Sequence, residues 1–369
     1  MTLGSLCDGL GGWQLAAVRA GIKPLWSSEI DKFCCAVTRR HFPDTVQLGD
    51  LTKITDAPKV DIITAGTPCQ SLSIAGRREG LKGESGLFLA AIKLVRRINP
   101  EFFIWENVPG AFSSNGGNDF RTVLEEICQE PIPLPKHGFG NAGMVDGRHC
   151  QICWRLLDSQ HFGLAQRRKR IFLVADFRAR RAAKILFERK SLCGNSAAGE
   201  SSQRQTPDRT GDCTNPSIGF KWNITCDAAI EKVPSGTCKH PVCTIFDMTH
   251  ADEVLRPVKG DKTNCLNARM GTGGNQVPVV AYGLKLNVSC DHIRELQPTL
   301  RTAPFACVAT KIVRRLTPLE CERLMGYPDA WSAGGSDTQR YKAIGNGMAQ
   351  TIADWILKRI KEVSSCTAL

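Results

Sequence analysis

The sequence predicts an α/β fold: a doubly wound sheet of parallel strands, with a second, smaller, irregular β-containing domain. Three observations carry this. Apolar strand-like runs alternate with helix-spaced segments from Thr2 to Val108, the pattern of a parallel sheet with helical crossovers. A glycine-rich turn, CDGLGG, joins the first strand to the first helix. The second, third and fifth strands each run out into an acidic residue at their carboxyl ends, where such sheets bind ligands.

TLGSL is a short apolar strand that ends in the glycine-rich turn. WQLAAVRAG then has helical spacing, with Trp13, Ala16, Ala17 and Ala20 on one face, and stops at Gly21. PLWSSEID is the second strand and KFCCAVTRRHF the second helix, closed before Pro43. TVQLGD and VDIITAG are further strands. SGLFLAAIKLVRRI is a helix ended by Asn-Pro, and EFFIWENV is the next strand. From about Pro131 the alternation breaks up. PIPLPKHGFGNAGM reads as a loop, and CWRLLDSQHFGLAQRRKRIFLVA as two apolar runs around a basic turn. Residues 178–310 hold short β-like runs in a background of Gly, Thr, Asn and Cys. Order returns at RRLTPLECERLMGYPDAW, where Thr317 is the cap, Pro318 the first helical residue and Glu320 the third. MAQTIADWILKRIKEV is a terminal amphipathic helix.

The 369 residues suffice for about two domains. The 48 Lys and Arg against 36 Asp and Glu give +12, which favours a polyanionic partner, nucleic acid first. No basic start and apolar run make a signal peptide, and no stretch is apolar and long enough to span a membrane. The 17 cysteines are therefore expected reduced, in the cytoplasm. Two clusters imitate metal knuckles: His149, Cys150 and Cys153, and Cys238, His240 and Cys243. They are distant and unlike each other, so no metal is expected.

DGLGGW lacks the third glycine of the dinucleotide fingerprint, because Gln14 stands there. Its context still lets backbone approach a ligand closely. Glu29, at the end of the second strand, suits ribose hydroxyls. Asp50, at the end of the third, suits an exocyclic amine such as adenine's. Together they point to an adenine nucleoside cofactor. Helix capping and turn formation account for the same residues more plainly. A nicotinamide oxidoreductase fits the turn but gives no task to Cys69 or to the arginines of QRRKR. Cys69 leaves the fourth strand after Pro68, where nucleophiles sit, and Glu106 leaves the fifth. Both share an edge with the turn.

These segments, in this order, carry a resemblance. CDGLGGW, SEID, GDL, GTPCQSLS, WENV, QRRKRIF, RRLTPLECERLMGYPD and RYKAIGNGM span nearly the whole chain. The chain resembles the S-adenosylmethionine-dependent DNA (cytosine-5)-methyltransferases of bacteria and phages. That resemblance implies a Rossmann-like methyltransferase sheet, with Cys69 as the nucleophile adding to cytosine C6. It implies Glu106 on ring N3 and the amino group, Arg170 on the base carbonyl, and Arg168 organising the site. The cofactor positions it implies are Cys7, Gly9, Gly11, Gly12, Trp13, Glu29, Ile30, Asp50, Leu51, Gly66, Pro68, Leu87 and Asn346. Ser5-Leu6-Cys7 departs from the family's usual Asp-Leu-Phe, and GNGM from its usual GNS.

A duplex hides C6, so the resemblance also implies extrusion of the base. SLSIAGRREGLKGESG then reads as a mobile lid with glycine hinges; Gln70, Ser73, Arg77 and Arg78 are its expected DNA contacts. Residues 1–177 and 336–369 become the catalytic, cofactor-binding domain, and 178–335 the target-recognition domain. Within the latter, Arg269, Thr272, Asn275, Thr299 and Arg301 are candidates for base contacts. The expected partner is double-stranded DNA, bound by a monomer, with a cognate restriction endonuclease acting on the same site left open. A catalytically silent regulator on this fold and an RNA-directed relative are the alternatives.

Overall fold

The computed structural model describes residues 1–67, 86–187, 263, 265–266 and 315–365 in full, and the backbone of 242–247, 256–257, 279–283 and 313–314. An eight-stranded sheet organises the first part of the chain. Its strands are β1 (Thr2–Leu6), β2 (Lys23–Ser28), β3 (Val46–Gln47), β4 (Ile62–Ala65), β5 (Phe102–Asn107), β6 (Ala142–Asp146), β7 (Gln151–Asp158) and β8 (Lys169–Asp176), in the order β3-β2-β1-β4-β5-β8-β7-β6. β1 to β5 pair in parallel. β8 joins antiparallel to β5, and β7 pairs antiparallel with β8 on one side and β6 on the other. The sheet is therefore mixed where the sequence predicted a parallel one. The reason is local: residues 159–168, a 3-10 turn and a loop, join β7 and β8 as hairpin neighbours and are too few for a crossover helix.

Each strand feeds both faces, because side chains alternate. Ile63, Phe103 and Trp105 join one buried cluster with Phe88, Val95, Phe120 and Ile127. Ile62, Phe102 and Ile104 join the opposite one with Ala16, Ile352 and Ile356. Helices α3 (Gly86–Ile98) and α4 (Asn118–Cys128) thus cover one face. Helices α1 (Gly12–Arg19) and α5 (Ala182–Leu186) cover the other, together with the C-terminal Gln350–Ser365 helix. This is the double winding that the sequence implies.

Two glycines fit tryptophans into the sheet. A Cβ on Gly4 would stand 2.1 Å from the Trp26 ring, and one on Gly143 2.1 Å from the Trp154 ring. Each pair lies on adjacent strands. Cys150 packs in one cluster and Cys153 in the other, so these two thiols occupy opposite faces of the sheet. Burial pushes both up to about 12.

The sequence gives no clear sign of α4 or of the helix Asp337–Asn346, and the loop expected at 131–144 gives way to β6 from Ala142. The chain's later segments add a four-stranded antiparallel sheet: β9 (Val242–Asp247), β10 (Arg256–Pro257), β11 (Val279–Gly283) and β12 (Val313–Arg315), in the order β10-β9-β11-β12. It supplies the second, β-containing part. After it come α6 (Pro318–Met325), α7 (Asp337–Asn346) and α8 (Gln350–Ser365). Thr317 and Glu320 close the expected capping box on α6, and Ser336 and Gln339 close another on α7. Leu316, Leu324, Tyr327 and Trp331 pack with Leu10, Leu15, Val37 and Phe42. Residues 316–331, expected in the second domain, thus share a core with α1 and with α2 (Lys32–His41).

Candidate active site

The strand order reverses direction between β1 and β4, and ligands bind doubly wound sheets at such switch points. The chain leaves β1 into Cys7–Gly12 and leaves β4 into Gly66 and Thr67. Gly66 N–H donates to Leu6 O at 3.2 Å, so the two exits are tied together. Thr67 is pinned to the next strand: its hydroxyl accepts from Trp105 Nε1 at 3.0 Å and its carbonyl from Asn107 Nδ2 at 3.0 Å. Glu106 lies between those two donors. A Cβ on Gly66 would stand 3.7 Å from Glu106 Oε2, which places this carboxyl over the crevice.

Glu106 meets Arg170 across the β5–β8 seam, with Nε 3.3 Å from Oε1. Burial raises the carboxyl's pKa above its ordinary value, while Arg170 and then Arg168 pull the other way. QRRKR explains the geometry by alternation. Gln166, Arg168 and Arg170 turn inward, whereas Arg167 and Lys169 are exposed. Arg168 is wholly buried. It donates to Leu266 O at 2.6 Å, Gly345 O at 3.1 Å, Cys265 Sγ at 3.0 Å and Gly347 O. Backbone bonds between Thr263 and residues 165 and 167 complete this joint. Arg168 therefore ties two distant segments, 265–266 and 345–347, behind Arg170. Cys265, which no sequence motif singles out, also lies 3.9 Å from Arg170 Nη2. Among the described residues Pro109, Asp158, Arg167, Lys169, Arg170 and Cys265 line a cavity of about 550 Å3.

The glycine-rich turn is held by Glu29. Its Oε2 accepts from Gly9 N at 2.8 Å, and Oε1 from Ile30 N at 2.8 Å and Asp31 N at 2.9 Å. Asp50 caps a 3-10 turn, accepting on Oδ1 from Thr52 N at 2.9 Å and Thr52 Oγ1 at 2.7 Å. Both acids thus cap turns, with lone pairs to spare. Trp13 is buried edge-on to Phe172, and Leu51 is buried in the core, so neither side chain faces the crevice. Leu87 packs against the same core as Leu51. Gly11 and Gly12 close the turn onto Phe42, Thr38 and Tyr327. Ile30 and Asn346 are exposed. Gly9, at φ 54°, has nothing within 4 Å of where a Cβ would be. Burial first, and then the charges of Glu29, Asp8 and Asp50, push the Cys7 thiol up to about 12. An open backbone cradle, an exposed apolar side chain and an acidic wall suit a cationic adenine nucleoside.

Pro68, Cys69, Gln70, Ser73, Arg77 and Arg78 lie outside the described residues, as do Arg269, Thr272, Asn275, Thr299 and Arg301. Cys69 follows Thr67 by two positions in sequence.

A switch-point crevice holding a glycine-rich turn and a carboxyl–guanidinium pair is the arrangement in which Rossmann-like α/β folds bind their ligands. Residues 1–362 match the C-5 cytosine-specific DNA methylases, and the chain belongs to that family. It is similar to the Type II methyltransferase M.HpaII of Haemophilus parainfluenzae, 27% identical over 97% of this chain and 88% of that one. It is also 27% identical to the DNA N-6-adenine-methyltransferase of Escherichia phage P1, covering 97% of this chain and 60% of that relative's length. In fold it is similar to the S. pombe Dnmt2 methyltransferase, with a TM-score of 0.59, 15% identity and 100% of both chains covered. No helix among the described residues is long and apolar enough to cross a membrane.

Proposed function

We propose that this chain is a DNA cytosine-C5 methyltransferase that uses S-adenosylmethionine and acts on a cytosine turned out of the duplex. The observation that carries the reading is the Glu106–Arg170 pair at the mouth of the sheet, beside the strand exit that leads to Cys69. C5 of cytosine is a weak nucleophile. The Cys69 thiolate bonds to C6, and the electron pair of the C5–C6 double bond moves into the ring. Burial raises the Glu106 pKa against the pull of Arg170 and Arg168; in this reading the protonated carboxyl donates to N3 and neutralises the charge as it forms. Arg170 steadies the ring at its carbonyl. S-adenosylmethionine, when bound, would supply an electrophilic methyl group to C5, its sulfur keeping the bonding pair and leaving as the neutral thioether. A base then removes the C5 proton, and sulfur leaves with its bonding pair as the double bond re-forms.

Arg168 acts as a positioning residue: it holds the loop before Met348 and the 265–266 segment behind Arg170. In this reading residues 1–177 and 336–369 form the catalytic domain, with 316–331 packed onto it, and the rest of 178–335 is the part that reads the target. The exposed Arg167 and Lys169 on the cavity wall suit DNA phosphates, and the charge of +12 supports a duplex partner. Methylation of an exocyclic amine, the activity in the name of the phage relative, requires no sulfur nucleophile and leaves Cys69 without a task. Expression in bacterial cells lacking cytosine methylation separates the two. Bisulfite sequencing is expected to reveal 5-methylcytosine in one sequence context, while nucleoside mass spectrometry finds no new N6-methyladenine. The reverse pattern overturns the proposal.

A further inference from the structure

Asp8 has no task in the methyl-transfer chemistry, yet it sits inside the cofactor turn. It ends the exit from β1, where its carbonyl accepts from Gly11 N at 3.0 Å and its N–H donates to Ser28 O at 3.3 Å. Its side chain is more than nine-tenths buried. Oδ2 accepts from Gln14 Nε2 at 2.6 Å; the Ser5 hydroxyl and the Trp13 amide lie close enough to pull the carboxyl's pKa down, yet Oδ1 is buried and makes no bond of full hydrogen-bond geometry. A carboxylate left half-satisfied away from water is costly to keep charged. Burial raises its pKa most; Gln14 and Ser5 lower it, Glu29 raises it again, and the Trp13 amide lowers it, leaving it at about 7. The groups around it are few. Gln14 on α1 and Ser5 on β1 are neutral. Glu29 and Asp50 share the acidic wall with it, around the Cys7 thiol. Just past α6, the buried Tyr327 feels Asp8 as a negative charge and Arg168 as an opposing positive one.

We infer that Asp8 is the charge sensor of the cofactor turn: its ionised form completes a wall that favours the cationic sulfonium donor over the neutral thioether product. The inference rests on the reading of the chain as S-adenosylmethionine-dependent. Donor and product differ in one charge, at sulfur. A wall of three carboxyl groups answers that charge directly. The proton on Asp8 sets how much of the wall is charged near neutral pH. The sign follows from linkage. A bound cation favours the ionised carboxylate, so donor binding expels the Asp8 proton and tightens as pH rises through 7, while product binding does neither. Fresh donor then displaces spent cofactor most readily where Asp8 is charged.

Isothermal titration calorimetry of the full chain tests this with S-adenosylmethionine and S-adenosylhomocysteine, from about pH 6 to about pH 8. The expected result is a preference for the donor that widens by about tenfold over this range, the effect of a one-unit pKa change. Titration at about pH 6.5 in two buffers of different ionisation enthalpy is expected to reveal proton release with the donor but not with the product. Asp8→Asn is expected to bind both ligands with a flat ratio. Parallel pH curves for the two ligands, no proton release, or an unchanged slope in Asp8→Asn overturns the inference while leaving the proposed function standing. Failure of the wild-type chain to bind either ligand overturns both. The proton-release measurement needs only the wild-type chain, so it decides the matter even where Asp8→Asn does not fold.

Discussion

Glu106 Oε1 lies 3.3 Å from Arg170 Nε, across the antiparallel seam between β5 and β8. Register brings Glu106 opposite Phe172, so Arg170 reaches it diagonally from the same face. The pair is only partly shielded, and the carboxyl is still held above its usual pKa by burial. Carboxyls perturbed in this way cluster at functional sites.

Glu106→Gln separates chemistry from folding. The folded-state pKa is raised, so the charged form costs stability, and that cost grows as pH rises from the unfolded value through the folded one. An uncharged isostere removes the cost. Single-turnover methyl transfer is expected to fall by about 10²–10⁴-fold, with cofactor affinity unchanged and a higher thermal midpoint at neutral pH. A single-turnover rate equal to wild type refutes the acid role.

Arg168 and Arg170 are expected to behave oppositely. Arg168 is buried among three backbone carbonyls and a thiol. Arg168→Met strands those acceptors and is expected to lose roughly 3 kcal/mol of stability. Arg170→Lys keeps the charge and is expected to fold normally but to methylate slowly, because an ammonium lacks the guanidinium fork. Urea unfolding beside single-turnover rates distinguishes them; equal stability losses would contradict this division of labour.

Asp176 anchors the end of β8. It accepts from Arg178 N at 2.8 Å and Ala179 N at 3.0 Å on Oδ1, and from Arg181 N at 2.8 Å and Nε at 2.9 Å on Oδ2. Burial alone would raise its pKa; the bonds from Arg181, Ala179 and Arg178 outweigh it and lower the value. Its stabilisation is therefore complete above the unfolded pKa of about 3.9 and lost as pH falls through the folded one. Asp176→Asn is expected to cost about 3 kcal/mol at neutral pH and to flatten the acid limb of the stability curve. A variant that unfolds in acid as steeply as wild type would show that the charge resides elsewhere.

Gly4→Ala is expected to destabilise by at least 1–3 kcal/mol, roughly the overpacking range, because its Cβ would enter the Trp26 ring. Gly9→Ala, where nothing crowds the new methyl, is expected to cost far less packing and to weaken cofactor binding through its positive φ instead. Thermal midpoints and donor affinity measured on both variants check the contrast.

Much of the fold is legible in the sequence because it is local. The first five strands and their helices follow from alternating apolar runs, and the α6 capping box from Thr317, Pro318 and Glu320. The resemblance singles out Glu106 and Arg170 separately; that they meet as an ion pair is seen only in the structure. What is not legible depends on distant chain segments. The burial of Trp13 is decided by Phe172 and by the C-terminal residues that pack beside it. The role of Arg168 requires Gly345, Gly347 and Leu266, which lie 98–179 positions away. The hairpin of β7 and β8 is visible as two apolar runs, but its insertion beside β5 is not. Asp8 gives no signal, since its meaning lies in a buried oxygen that makes no bond of full hydrogen-bond geometry.

The central claim is that a cysteine sulfur bonds to the target base. Duplex DNA carrying 5-fluorocytosine at the target site, incubated with the chain and S-adenosylmethionine, tests it most directly, because fluorine at C5 cannot leave as a proton does. The account predicts a denaturation-resistant protein–DNA adduct that maps by peptide mass spectrometry to Cys69 and disappears in Cys69→Ala. Methyl transfer by Cys69→Ala, or an adduct on any other residue, would contradict it.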